Sequence, residues 1–239
     1  MKNMITQSDF TFSAVDVDDL TSSEYTLVTL ALDMSGSVYN YEKDLKQCIE
    51  TIIDTCNNSG RAENLMIRLT TFNNQLFEEH GFKTLMLIKP EDYKQIQSPT
   101  GATSLYDACI DAIEATEHYG SVLTEQEFKV NGVLYIITDG GDNRSHHSAQ
   151  DVADKFKSFR NTESLESLQT FLIGVNVNDS SFKKYLKDFN KTVNFDEFLS
   201  IENASTETLS KLASFISKSI SLQSQSLGAG TISKTLPSF

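Results

Sequence analysis

Three short polar segments, each following an apolar run or preceding a helix, carry the residue types needed to hold a metal ion. In Asp33-Met34-Ser35-Gly36-Ser37 an acid and two hydroxyls alternate at i, i+2 and i+4, directly after the apolar run 25–32. Gly36 lets such a loop fold back tightly at no steric cost. Downstream lie Thr103 in Gly101-Ala102-Thr103-Ser104 and Asp139 in Ile136-Ile137-Thr138-Asp139-Gly140. Small oxygen side chains suit a hard cation such as Mg2+ (or Mn2+ or Ca2+). A carboxylate at the end of a buried apolar strand, as Asp139 is expected to be, needs a partner or a metal. Taken alone, the pentapeptide is compatible with an ordinary turn, because Asp and Ser are turn formers. Two further polar loops at two other strand-helix junctions favour a site.

The elements that would position these residues are legible from hydrophobic patterning. Residues 25–32, 133–138 and 168–175 are near-continuous apolar runs rich in β-branched side chains, as in parallel strands buried on both faces. Residues 65–72 read as another strand, where Arg68 and Thr70 predict a less buried position. The short segment 75–82, with charges at its centre, predicts an antiparallel edge strand. Amphipathic helices are expected at about 39–57, after Thr103, at about 148–160, at 179–189 behind Asp179, and at about 206–222. Ser104 and Asp107 are spaced as a capping box. Alternating strands and helices predict an α/β fold, a doubly wound and mostly parallel central sheet with helices on both faces. In such sheets ligands bind at the carboxyl ends of strands, where all three polar segments fall.

Bulk properties narrow the field. A chain of 239 residues can form one large domain with a core that needs no disulfide. The net charge of −13 opposes approach to nucleic acid or an acidic membrane. No run approaches the ~20 apolar residues of a membrane span, and the first ten residues do not read as a signal peptide. These features predict a cytoplasmic protein. Cys48, Cys56 and Cys109 each fall on an apolar helical stripe and read as packing residues. Residues 1–23, polar and acidic, read as an N-terminal extension, residues 24–222 as the domain, and residues 223–239 as a Ser/Gly-rich flexible tail.

Asp33, Ser35, Ser37, Thr103 and Asp139 together resemble the metal-ion-dependent adhesion site of von Willebrand factor A (vWA) domains, and the resemblance covers about 24–222. It implies a Rossmann-like vWA fold in which Ser35 and Ser37 ligate directly. It further implies that Thr103 joins in the liganded state and that the two aspartates act largely through water. A Glu or Asp carboxylate from a protein partner would complete the coordination, making the chain a binding module and not an enzyme. In layout it is similar to intracellular bacterial or phage vWA proteins of tellurite-resistance and stress clusters, or those working with MoxR-type AAA+ ATPases. An adaptor in a larger complex is therefore expected. The extension, an insert at 121–131 and the tail depart from that layout.

Two rival readings remain open at this stage. One is a metal-dependent phosphatase or hydrolase using Asp33, although Ser35 stands where haloacid-dehalogenase-like phosphatases need a second acid. The other is a structural protein that self-assembles. Asp142 and Asn143 read as solvated rim residues, Asp107 as a helix cap, and His146-His147 as a surface loop without a third metal ligand.

Overall fold

The computed structural model describes residues 1–228 apart from Asp9, Gln95 and Glu163. Their strands are β1 (Lys2–Ile5), β2 (Thr11–Ala14), β3 (Glu24–Asp33), β4 (Leu65–Phe72), β5 (Leu76–Thr84), β6 (Lys129–Thr138), β7 (Ser167–Gly174) and β8 (Glu197–Ser200). They form one sheet ordered β1-β2-β5-β4-β3-β6-β7-β8. The run from β4 through β3, β6 and β7 to β8 is parallel. The helices are α1 (Glu42–Asn57), the short α2 (Glu91–Lys94), α3 (Leu105–Glu125), α4 (Ala149–Phe159), α5 (Ser180–Val193) and α6 (Thr206–Gly228).

Apolar stripes decide which face each helix covers. Leu45, Ile49, Ile52 and Ile53 of α1 pack with Leu212, Ile216 and Ile220 of α6 against Val28, Leu30 and Leu32 of β3. On the opposite face, Ala108, Cys109 and Ile113 of α3, Phe156 of α4 and Leu186 of α5 cover Ala31, Leu134 and Ile136. Strand β3, buried almost throughout, lies between these layers, as expected for a doubly wound parallel sheet.

The N-terminal extension turns out to belong to the sheet. Phe12 and Ala14 point inward at strand spacing and pack, with Val15, against Tyr25, Leu27, Phe82 and Tyr119. This period of two is what a search for helical periodicity passes over. Strand β5 is antiparallel to β4, as expected, but it is not the edge, because β2 lies outside it and meets it at Ala14 and Phe82. The approach is so close that a Cβ on Gly81 would fall 1.7 Å from the Ser13 carbonyl oxygen, so only glycine fits.

Three further expectations need correction. Arg68 does not mark an exposed strand: it is 1% exposed, with Asp111 accepting from both terminal guanidinium nitrogens at 2.9 and 3.1 Å and Glu78 accepting from Nε at 2.9 Å. The presumed insert 121–131 is the last turn of α3 and the start of β6. The tail does not begin at 223, because α6 continues to Gly228. Gln223 is 1% and Leu227 4% exposed, and Asn131 Nδ2 donates to the Gln223 carbonyl at 2.7 Å. The remainder of the expected tail, 229–239, lies outside the described residues.

Two outcomes follow from this packing. A chain ending at Leu222 loses the burial of Leu227, about 1.5–3 kcal/mol, and leaves the buried Asn131 amide without its acceptor, about 1–3 kcal/mol. Its melting temperature should fall by roughly 10 °C, and an unchanged melting curve would show that the helix end contributes nothing. The second outcome concerns His80, which is 4% exposed and donates from Nδ1 to the Gly81 carbonyl. Burial pushes its pKa down to about 4, against ~6.5 in an unfolded chain. Between those values the unfolded state holds more protons, so this stability is complete above about pH 6.5 and drains away as pH falls towards 4. His80→Asn keeps a donor for Gly81 but cannot titrate. Urea unfolding at pH 7 and pH 5 should show the unsubstituted protein losing about 2 kcal/mol relative to the variant.

Candidate metal centre

Asp33 and Thr138 end adjacent parallel strands whose register, Leu32 opposite Ile137, brings the two side chains together. Thr138 Oγ1 donates to Asp33 Oδ2 at 2.6 Å, and the Ser35 amide donates to Asp33 Oδ1 at 2.8 Å. The second bond curls the loop over its own aspartate, a turn that Asx residues favour. Backbone bonds hold the loop from the sides: Met34 donates to the Phe72 carbonyl at 2.8 Å, Thr100 to that of Met34 at 3.1 Å, and Gly36 to that of Gly101 at 3.2 Å. Gly101 has φ of +78°, and a Cβ there would sit 2.6 Å from Asn74 Oδ1. That oxygen accepts from the Ala102 amide, so the segment carrying Thr103 is tied to the turn after β4.

The side chains form a continuous hydrogen-bonded chain. Ser35 Oγ and Ser37 Oγ are 3.1 Å apart, and Ser37 Oγ donates to Asp139 Oδ1 at 2.8 Å. Tyr41 Oη donates to the other Asp139 oxygen at 2.6 Å. Thr103, 5% exposed, joins from the third loop through its backbone: its amide donates to Asn143 Oδ1 at 2.8 Å and its carbonyl accepts from the Asn143 amide at 3.0 Å. The structure thus links Asp33, Ser35, Ser37 and Asp139 directly, and brings the loop of Thr103 against both other loops.

Several neighbours carry no signal in the sequence or do more than their sequence context predicts. Tyr41 reads as a core residue of the α1 stripe, and nothing in the sequence marks its hydroxyl for Asp139. Asn143 is solvent-exposed, as expected of a rim residue, and in addition clamps Thr103. Asp107 does not cap its helix, and Ser104 makes no side-chain capping bond. Asp107 accepts instead from the amides of His146 and His147 and, at 2.7 Å, from His147 Nδ1. Burial alone would raise its pKa, but these bonds hold the carboxyl below the usual range. They fasten the segment after Asp139 to the start of α3.

Charge is what this arrangement leaves unresolved. Asp33 is 1% exposed, and burial first, then Asp139, push its pKa up to about 6 against the pull of the Thr138 and Ser35 bonds. Among the described residues no Lys, Arg or His pairs with Asp33 or Asp139. No group of three or more His, Cys, Asp or Glu that could hold a metal forms among those residues, so a metal here must draw on the hydroxyls. Two carboxylates and the Ser35 and Ser37 hydroxyls on loops leaving neighbouring strands, with Thr103 held on the adjoining loop, fit a hard divalent cation, with water filling the remaining positions.

No family model matches the chain, and no curated protein sequence does. Solved structures do match its fold. The PilB minor pilin from Streptococcus sanguinis is 16% identical at a TM-score of 0.59, over 85% of this chain and 63% of the pilin chain. A von Willebrand factor type A structure from Catenulispora acidiphila is 15% identical at a TM-score of 0.56, over 84% of this chain and 44% of that one. Proximal thread matrix protein 1 from the mussel byssus, in a structure with a zinc-occupied MIDAS motif, is 19% identical at 0.55, over 82% and 45%. The chain therefore spans less than two thirds of the length of each.

The charge imbalance generates a test. In the metal-free protein, the proton that Asp33 retains up to about pH 6 is lost from the unfolded chain near pH 4. Its burial therefore costs stability as pH rises through that window, about 3 kcal/mol once complete. A divalent ion at ~100 times its dissociation constant adds about 2.7 kcal/mol. At pH 7.5, Mg2+ or Mn2+ should raise the melting temperature of chelator-stripped protein by about 5–10 °C. Asp33→Asn should raise the metal-free value and abolish the metal response. Equal melting of the unsubstituted protein with metal and with chelator would remove the case for a cation at these residues.

Proposed function

We propose that this chain, which has the vWA fold, is a metal-ion-dependent protein-interaction module that binds an acidic side chain of a partner through a divalent cation. The observation that supports this reading best is the meeting of two carboxylates with the neutral hydroxyls of Ser35 and Ser37, beside the loop of Thr103, with no cationic side chain paired to them among the described residues. The hydroxyls add no charge to the ion, so a cation held there keeps attraction for one more anionic oxygen. Ser35, Ser37 and Thr103 would be the direct ligands, with Asp33 and Asp139 acting largely through water. The zinc-occupied MIDAS motif of the mussel structure lends support to a divalent ion and leaves room for metals besides Mg2+.

The finer reading is an adaptor that recruits a larger assembly in the cytoplasm, of the kind that vWA proteins form with AAA+ ATPases or stress-response complexes. Among the described residues no helix is long and apolar enough to cross a membrane. The rival hydrolase reading needs turnover, and a screen of generic phosphoesters with Mg2+ and Mn2+ addresses it directly.

The decisive experiment pairs metal removal with single substitutions. Ser35→Ala deletes one neutral ligand and orphans no buried charge, so the variant should fold with an unchanged circular dichroism spectrum. Partner capture should disappear both in chelator and in this variant. On the partner, one Glu→Gln or Asp→Asn change should account for most of the loss, since interface energy concentrates in a few desolvated contacts. Binding that persists in chelator and in Ser35→Ala would place the interaction on another face of the domain.

A further inference from the structure

Two of the large apolar side chains exposed at the surface lie on the turn that carries Ser37 and against the loop that follows Asp139. Tyr39, 69% exposed, lies between Ser37 and Tyr41, both of which donate to the Asp139 carboxylate. The backbone beneath it is a 3-10 turn, Gly36–Asn40, anchored at both ends. Phe182, 46% exposed, lies in the first turn of α5, and its Cε1 is 4.0 Å from where a Cβ on Gly140 would be. One turn on, Tyr185 packs on Gly141 and its hydroxyl accepts from the Asp142 amide at 3.0 Å, which fastens α5 to the segment after Asp139. Both aromatic rings therefore project into water from backbone held by bonds to the site's own loops.

Exposed aromatic rings on rigid backbone cost little entropy to engage, and Tyr is enriched where interface energy concentrates. The surrounding charge narrows the partner further. With Asp33, Asp139 and Asp142 in or beside the site and a net charge of −13, a strongly acidic segment would be repelled. A single carboxylate in a neutral, apolar setting would not be.

Resting on the function proposed above, we infer that the partner presents an extended segment with one Glu or Asp between two large apolar side chains, which pack on Tyr39 and Phe182 while the carboxylate meets the cation. Residues two apart on an extended segment share a face and lie roughly 7 Å from each other, so Leu-x-Glu-x-Leu is the simplest probe. The experiment uses the full chain with Mn2+ and immobilised peptides Gly-Leu-Gly-Glu-Gly-Leu-Gly and Gly-Ser-Gly-Glu-Gly-Ser-Gly, each also made with Gln for Glu. The Leu-flanked Glu peptide should bind at least about 10-fold tighter than the Ser-flanked one. Tyr39→Ser and Phe182→Ser should each reduce that ratio towards one while leaving the Mn2+-induced melting shift intact. Equal binding of both Glu peptides, dependent on Mn2+, would overturn the inference and leave the metal-dependent function standing. Binding that ignores chelator or the Gln exchange, or no peptide binding by Mn2+-stabilised protein, would overturn both.

Discussion

The hydrogen bond from Thr138 to Asp33 is the contact on which the site's geometry depends. It joins the last residues of two neighbouring interior strands, and it exists because β3 and β6 pair in one register over their whole shared length. A slip of one residue would turn Asp33 and Thr138 to opposite faces. Such a slip would also expose Leu30 and Ile136 on the wrong layers, so the packing of α1, α6 and α3 enforces the register. The apolar core thus fixes the carboxylate, and the carboxylate then curls the loop that carries both serines. The loop of Thr103 is placed less directly, by backbone bonds to the turn after β4 and to Asn143.

A second buried charge solves the opposite problem. Arg68 is enclosed on the far side of β4, yet its guanidinium meets Asp111 with two nitrogens and Glu78 with a third. Glu78 also accepts from the amide and hydroxyl of Ser13, so the same network holds β2 beside β5. Removing one partner of such a pair is costly because the other is left charged and buried. Arg68 is thus neutralised by the protein itself, whereas among the described residues no cationic side chain pairs with Asp33 or Asp139. The contrast supports reading one cluster as structural and the other as a ligand site.

Much of this was legible because the determining forces are local or periodic. The apolar runs of β3, β6 and β7 and the stripes of α1, α3 and α6 announce buried parallel strands between helical layers, and that layering places the three polar loops at one end. What escaped depends on contacts between distant segments. β2 has only four residues and gains its place from Phe12 and Ala14 meeting Phe82 and Tyr119. β8 is equally short and only half buried, so it leaves no hydrophobic signature. The spacing of Asp107 from Ser104 predicts a cap, but two histidine amides some forty residues away take its carboxylate instead. The Ser-rich end of α6 reads as a tail because a buried hydroxyl there satisfies its own helix: Ser226 donates to the Gln223 carbonyl one turn back. Composition alone cannot distinguish such a helix from a flexible segment.

The burial of the three thiols carries a consequence of a different kind. Cys48, Cys56 and Cys109 are all unpaired and enclosed, and burial pushes the first two up to about 12. At neutral pH only about one such thiol in 10⁵ is ionised, and the thiolate is the species that attacks disulfides and oxidants. The cysteines are therefore poor partners for thiol–disulfide exchange while the chain stays folded. Glutathione or a disulfide-rich neighbour should find no reactive thiol on it, so mixed disulfides should not form while the native structure persists.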